Sequence, residues 1–242
     1  MASVGHRRFI DIIERIVMDM KVYLESTSDA LSPMFNSIRD SSSRLLDFET
    51  SIHHWVHLEN YLVGNDHKGW GQKNFDDWKK DMGEEPTIES VQFWRAKLES
   101  MAEARRETVN ILCASILMIA QNGVKHVLGQ PALWKAHEGK VLSSQNECVL
   151  SAIWHGRNLG AHVEGLKTGT PSFDYFENVK TRRGLDLGSP SSGGYPCKYI
   201  VKDLLGWIEL HDLPVKDTLH TESYTPPYVQ DMMRLGALAN AT

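Results

Sequence analysis

A chain of 242 residues with 41% hydrophobic side chains and seven each of Trp, Tyr and Phe can bury a core unaided, which excludes a braced miniprotein and a disordered segment. Its 26 Lys and Arg against 31 Asp and Glu give a formal charge of -5, so no global basic field coats nucleic acid and any such contact has to use a local patch. Cys113, Cys148 and Cys197 stand far apart with no C-x-x-C pair, which excludes a disulfide framework and a cysteine zinc site and points to a reducing compartment. Asp11, Glu14 and Asp19 leave no uncharged secretory core, and the least polar stretch, Ile111 to Ala120, is about half a membrane span. The expectation is a soluble, cytoplasmic protein with no membrane partner.

In chain order, Phe9, Ile12, Ile13, Ile16, Val17, Met20 and Leu24 recur at intervals of three and four and predict a first helix. Pro33 predicts the start or a kink of a short helix that ends at Ile38. Ser41, Ser42 and Ser43 are N-cap candidates for a second stripe of Leu45, Phe48, Ile52, Trp55, Val56 and Leu62. Residues 63–86 hold Gly64, Gly69, Gly71, Gly83 and Pro86 among Asp and Lys and read as a surface loop. Thr87-Ile88-Glu89-Ser90 opens a helix that runs to Asn122-Gly123, with Gly123 as C-cap and, at roughly 35 residues, room for a break near Glu99. A short segment around Leu133, Trp134 and Val141 follows the Gly129-Gln130-Pro131 stop. Ser143 or Ser144 then caps another helix, and Glu147 completes a capping box with Ser144. Residues 165–197 are rich in Gly, Ser and Pro and read as a loop that carries the basic run Lys180, Arg182 and Arg183. A final amphipathic helix over 199–210 precedes a Pro-containing tail that the pattern does not place. With no run of strand period and no long repeat, the expected class is all-α. One domain is expected over 1–242: N-terminal helices (1–62), a surface loop (63–86), a motif-bearing core (87–168), a second loop (169–197), and a C-terminal helix with its tail (198–242).

Ser144, Glu147, Ser151, His155, Asn158 and His162 follow one another at steps of three and four, which sets six polar side chains on one helical face. Val149, Ala152, Ile153, Gly156, Gly160 and Val163 fill the other side. A polar face can simply be solvated. Here, however, Asn158 and His162 lie one turn apart and Arg157 about 140° round from His162, within reach of its long side chain. A cation, an amide and an imidazole can therefore converge.

The segment Arg157-Asn158-Leu159-Gly160-Ala161-His162 resembles the Arg-x4-6-His signature of the HEPN superfamily, in the form where a polar residue follows the Arg. An Arg-x4-His alone arises by accident about 0.5 times in a chain of this composition, and requiring Asn beside the Arg lowers this to about 0.02. The surrounding WHGRNLGAHVEG fits as well, and the resemblance covers 88–167 directly, with compatible helices elsewhere and no subfamily assigned. It implies a HEPN-like helical bundle with added N-terminal helices, and a metal-independent endoribonuclease that uses no cofactor. In that chemistry the RNA 2′-OH attacks its own phosphate, leaving a 2′,3′-cyclic phosphate and a 5′-OH end. His162 would exchange the proton, Arg157 would hold phosphate oxygens, and Asn158 would orient the scissile group or the histidine. DNA lacks the nucleophile. The resemblance also implies a homodimer or even-numbered oligomer that builds one composite site, with Gly156 and Gly160 permitting close helix approach. A toxin or anti-phage defence role follows from it, with a cognate antitoxin or sensor subunit as partner.

Ser151, His155 and Glu147 are the candidate substrate-binding residues, each with a packed or solvated role as its alternative. Glu147 and Glu164 could tune His162, and Trp154 reads as core before it reads as a stacking platform. Lys180, Arg182 and Arg183 could hold RNA phosphates or stand exposed. His53 and His57, with Glu49 one turn earlier, have metal-ligand spacing, yet position 54 is His54 and breaks the H-E-x-x-H order, so no metal site is assigned. No Walker A loop, G-x-G-x-x-G or G-x-S-x-G occurs, which leaves nucleotide hydrolysis, dinucleotide binding and α/β-hydrolase chemistry without support. The alternatives to a ribonuclease are a non-catalytic HEPN-like module that binds RNA, nucleotide or a protein partner, and a helical scaffold in which Arg157 pairs with Glu164 or Glu147.

Overall fold

The computed structural model describes residues 3–64, 76–77, 79–80, 83, 87–129, 135–161, 166–185, 197–208 and 227–238, with side chains from residue 20 onward and not at residue 135. Among the described residues the fold is all-α, with no strand and one isolated bridge between Leu142 and Cys148. The helices are α1 (Ser3–Leu62), α2 (Ile88–Leu128), α3 (Val149–Ala161), α4 (Pro171–Arg183), α5 (Cys197–Tyr199) and α6 (Pro227–Leu238). A 3-10 turn at Lys135–His137 precedes α3, and a π-helical turn at Ile200–Leu204 continues α5. The chain divides into two compact units, Met1–Ser37 with Asn110–Thr242, and Ile38–Val109, where the sequence reading expected one domain.

The expected breaks in the two long helices do not occur. α1 runs through Pro33 without ending, so the three predicted N-terminal segments are one helix and Ser41 to Ser43 are interior residues. Proline removes the hydrogen bond to the carbonyl of residue 29. Pro33 and Asp29 are both exposed, so water can take that carbonyl. In α2 there is no break near Glu99, and Gly123 lies inside the helix. A Cβ at Gly123 would come within 2.6 Å of the Tyr23 ring, whose hydroxyl donates to the Ile119 carbonyl at 2.6 Å. Glycine stands there to let a ring approach. The helix ends instead at Gly129, at φ +74, whose N–H reaches back to the Lys125 carbonyl. The predicted start is borne out: Ser90 N–H donates to Thr87 Oγ1 and Thr87 N–H to Ser90 Oγ, both at 3.1 Å.

In the unit Ile38–Val109, Leu45, Leu58, Val91 and Ala102 are buried. Glu59 accepts from Gln92 and Arg95, while Glu49, earlier on α1, pairs with Arg106, later on α2, at 3.0 Å. The two segments are therefore antiparallel. The described parts of the predicted 63–86 loop are a turn at 63–64, short helical stretches at 76–77 and 79–80, and Gly83, and the remainder lies outside the described residues.

In the other unit, the tail that the sequence pattern did not place contains α6. Tyr228 packs on Phe35 and Trp207, Gly236 meets Met20, and Trp207 Nε1 donates to Asp231 at 3.0 Å. Helix α2 is long and apolar enough to cross a membrane by length and composition, although the sequence reading judged its least polar stretch too short. Half of its most apolar window is buried inside the fold.

Candidate functional site

The motif helix begins later than its serines predict. α3 starts at Val149, so Ser144 and Glu147 are not on its face, and Ser151, His155 and Asn158 are the members of the polar stripe that lie on its described part. Residues 143–147 form a tight turn: Asn146 N–H donates to the Ser143 carbonyl at 2.9 Å, and Asn146 takes φ +59, which its short polar side chain tolerates. Ser143, not Ser144, organises this turn. Its Oγ accepts from the N–H groups of Gln145 and Glu147 and donates to the Leu204 carbonyl at 2.6 Å. A side-chain alternative to the helical ladder wins here over the capping box.

The small-residue side of α3 is filled by the same chain. A Cβ at Gly156 would meet Leu117 at 3.0 Å and Ile200 at 3.1 Å, and one at Gly160 would meet Ala114 at 2.8 Å. These glycines were expected to admit a partner's helix; they admit α2 and the α5 segment instead.

The 165–197 segment is not all loop. Thr170 N-caps α4, accepting from Phe173 N–H, Pro171 opens it, and Gly184 closes it at φ +63 with its N–H on the Lys180 carbonyl. Lys180, Arg182 and Arg183 therefore lie in the last turn of a helix, where cations oppose the carbonyl end of the dipole.

This helix covers part of the polar face of α3. Asn158 Nδ2 donates to Ser172 Oγ at 3.2 Å, and His155 Nδ1 lies 2.9 Å from the same oxygen. The Ser172 hydroxyl has one proton and two lone pairs, so it accepts from Asn158 and still bonds His155 Nδ1 in either neutral tautomer. The ring stacks on Tyr175 at 4.4 Å, and burial pushes the His155 pKa down to about 4. His155 is thus uncharged at neutral pH. Glu147 is 3% exposed and holds Arg182 at 2.8 Å, with the Tyr175 hydroxyl donating to it at 3.2 Å. Burial first, and Glu147 second, push the Tyr175 pKa up. The carboxylate has internal partners in place of a ligand-facing role, and it does not pair with Arg157.

Ser151 Oγ donates to Glu138 Oε1 at 3.0 Å and lies 3.2 Å from Cys148 Sγ. Glu138, Leu150, Ser151, Trp154 and His155 line a cleft of about 60 Å³. Small-molecule pockets run to roughly 300–1,000 Å³, so this cleft admits water or one functional group and not a nucleobase. Arg157 is half-buried, on the other side of α3 from His155, and forms no ion pair among the described residues. His162 and Glu164 lie outside the described residues, as do Leu133 and Trp134. No group of three or more His, Cys, Asp or Glu side chains converges on a metal-sized point among the described residues.

The sequence reading therefore missed Ser172 and Tyr175, the two residues that hold His155 and Asn158. No protein-family profile, no curated protein and no solved structure matches this chain.

Proposed function

We propose that the chain is a metal-independent endoribonuclease of the HEPN type, cleaving RNA by 2′-OH attack to give 2′,3′-cyclic phosphate and 5′-OH ends. The observation that supports this reading is the Arg157-Asn158-x3-His162 segment itself, whose described residues 157–161 lie on a late helix of a chain that is all-α among its described residues, with Arg157 free of ion pairs among the described residues and Asn158 anchored to Ser172. Arg157 presents its donor fork to non-bridging phosphate oxygens, His162 exchanges a proton near neutral pH, and Asn158 holds the last turns of α3 in register with α4. Cleavage needs a base for the 2′-OH and an acid for the leaving 5′-oxygen. His155, neutral and enclosed by Tyr175, is a poor candidate for the second role, so a second copy of the chain supplies it in a homodimer or even-numbered oligomer. That pairing uses the Arg157 edge of α3, since α4 occupies the His155 edge. A cytoplasmic toxin or anti-phage effector, restrained by an antitoxin or sensor subunit, is the role that fits such an activity.

One observation favours a second reading, a non-catalytic module that binds RNA, nucleotide or a protein partner: Glu147, His155 and Asn158 all find partners within the chain. Incubation of purified protein with total RNA in EDTA, followed by end-group analysis, separates the two. The ribonuclease reading expects cyclic-phosphate ends that accumulate with time. RNA that stays intact while bound supports the module.

A further inference from the structure

Apart from the motif helix, the titratable cluster with the most defined geometry is on the exposed side of α1. His53 and His57 lie one turn apart, their Nε2 atoms 2.8 Å from each other and their rings perpendicular at 86°. Two imidazole nitrogens that face each other at this distance share one proton, one donating and the other accepting, and a cation that replaced this proton would have both nitrogens as ligands. A metal ion with bonds of about 2.05 Å sets nitrogens about 2.9 Å apart at a 90° angle and about 3.3 Å apart at a tetrahedral one. The observed 2.8 Å is a hydrogen-bond length, and it leaves the nitrogens nearer the right-angle spacing than the tetrahedral one. Nitrogen ligands in adjacent positions of a square or tetragonal arrangement select Cu²⁺ or Ni²⁺ over Zn²⁺, the same direction as the intrinsic affinity order.

We propose that His53 and His57 form a two-nitrogen chelate for a tetragonal divalent cation of the Cu²⁺ type, the remaining positions being taken by water. Glu49, one turn earlier on the same face, is not a third ligand, because it is held by Arg106 at 3.0 Å, a guanidinium that also pairs with Glu103. The Glu49 bond is the first cause that raises the Arg106 pKa, so the arginine keeps its charge beside the carboxylate. His54, 100° round the helix from His53, has no part in the chelate. The cation takes the place of the shared proton. The site stands independently of the RNA chemistry.

The test uses the full chain, titrated with CuCl₂, NiCl₂ and ZnCl₂ by calorimetry, with electron paramagnetic resonance of the copper complex. Cu²⁺ should bind tightest and its spectrum should report two coupled nitrogens. His53→Ala and His57→Ala should each weaken Cu²⁺ binding at least tenfold, on the order of a lost second-shell partner or more. His54→Ala and Glu49→Ala should leave it unchanged, and circular dichroism should show all four variants folded. A copper affinity that survives His53→Ala, a spectrum without two nitrogens, or a loss in Glu49→Ala as large as in the histidine variants would overturn the assignment.

Discussion

The two edges of α3 carry the same kind of side chain and meet opposite fates. On one edge, His155 and Asn158 share Ser172, and Tyr175 lies flat on the imidazole. On the other, Arg157 is half-buried with no ion pair among the described residues. Polar residues at helical spacing thus say which groups share a face, and nothing about whether a neighbouring helix covers it. Cover decides the state of the imidazole, which burial keeps neutral.

The largest expected effect breaks the comparison on the Arg157 side. Arg157→Ala or His162→Ala should lower RNA cleavage by about 10²- to 10⁴-fold, the range for removing a proton-transfer or charge-stabilising group. Thermal melts should change little for Arg157→Ala, since no described ion pair is lost. Next comes a pair of glycines in the same unit. Gly206, at φ +64, has no room for a Cβ beside Ser144 Oγ, whereas Gly184, at φ +63, has open space around it. Gly184→Ala should cost about 1–2 kcal/mol from left-handed strain alone, and Gly206→Ala more, by urea denaturation. Equal losses would show that the turn at 143–147 yields to the methyl group.

On the covered edge, Arg182→Ala leaves the buried Glu147 with Tyr175 and Arg183 only. A cost of roughly 1–3 kcal/mol is expected, because a desolvated carboxylate loses its shortest charged partner. The smallest effect is in the pH profile. His155 has a folded pKa of about 4, below its ordinary value of 6.5, so the unfolded chain takes up a proton that the folded chain refuses. Its neutral form costs nothing above pH 6.5, and stability falls as pH drops from 6.5 toward 4. Urea midpoints at pH 7 and pH 5 should drop less in His155→Gln than in wild type. Burial lowers the His137 pKa too, but that histidine is common to both proteins and cancels.

The sequence made the all-α class legible, because 3.6-residue stripes ran the length of α1 and α2 and no alternating run competed with them. Boundaries were less legible, since they depended on contacts. Pro33 signals a break, and α1 passes it because the freed carbonyl faces water. Gly123 signals a cap, and it serves instead the approach of Tyr23. The loss of α4 was avoidable: Thr170-Pro171 and Gly184 are start and stop signals in the right order, masked by the Gly, Ser and Pro that flank them. With α4 unread, Ser172 and Tyr175 were unreadable as partners, and His155, Asn158 and Glu147 looked solvent-facing.

In the proposed ribonuclease the Arg157 edge does the chemistry while the His155 edge holds the helix. The direct measurement is the RNA cleavage rate of wild type, Arg157→Ala and His155→Gln in EDTA at pH 7.5, at a temperature where all three are folded. Arg157→Ala should lose at least about a hundredfold and His155→Gln should stay within several-fold of wild type. A His155→Gln rate as low as that of Arg157→Ala, or an Arg157→Ala rate equal to wild type, would contradict it.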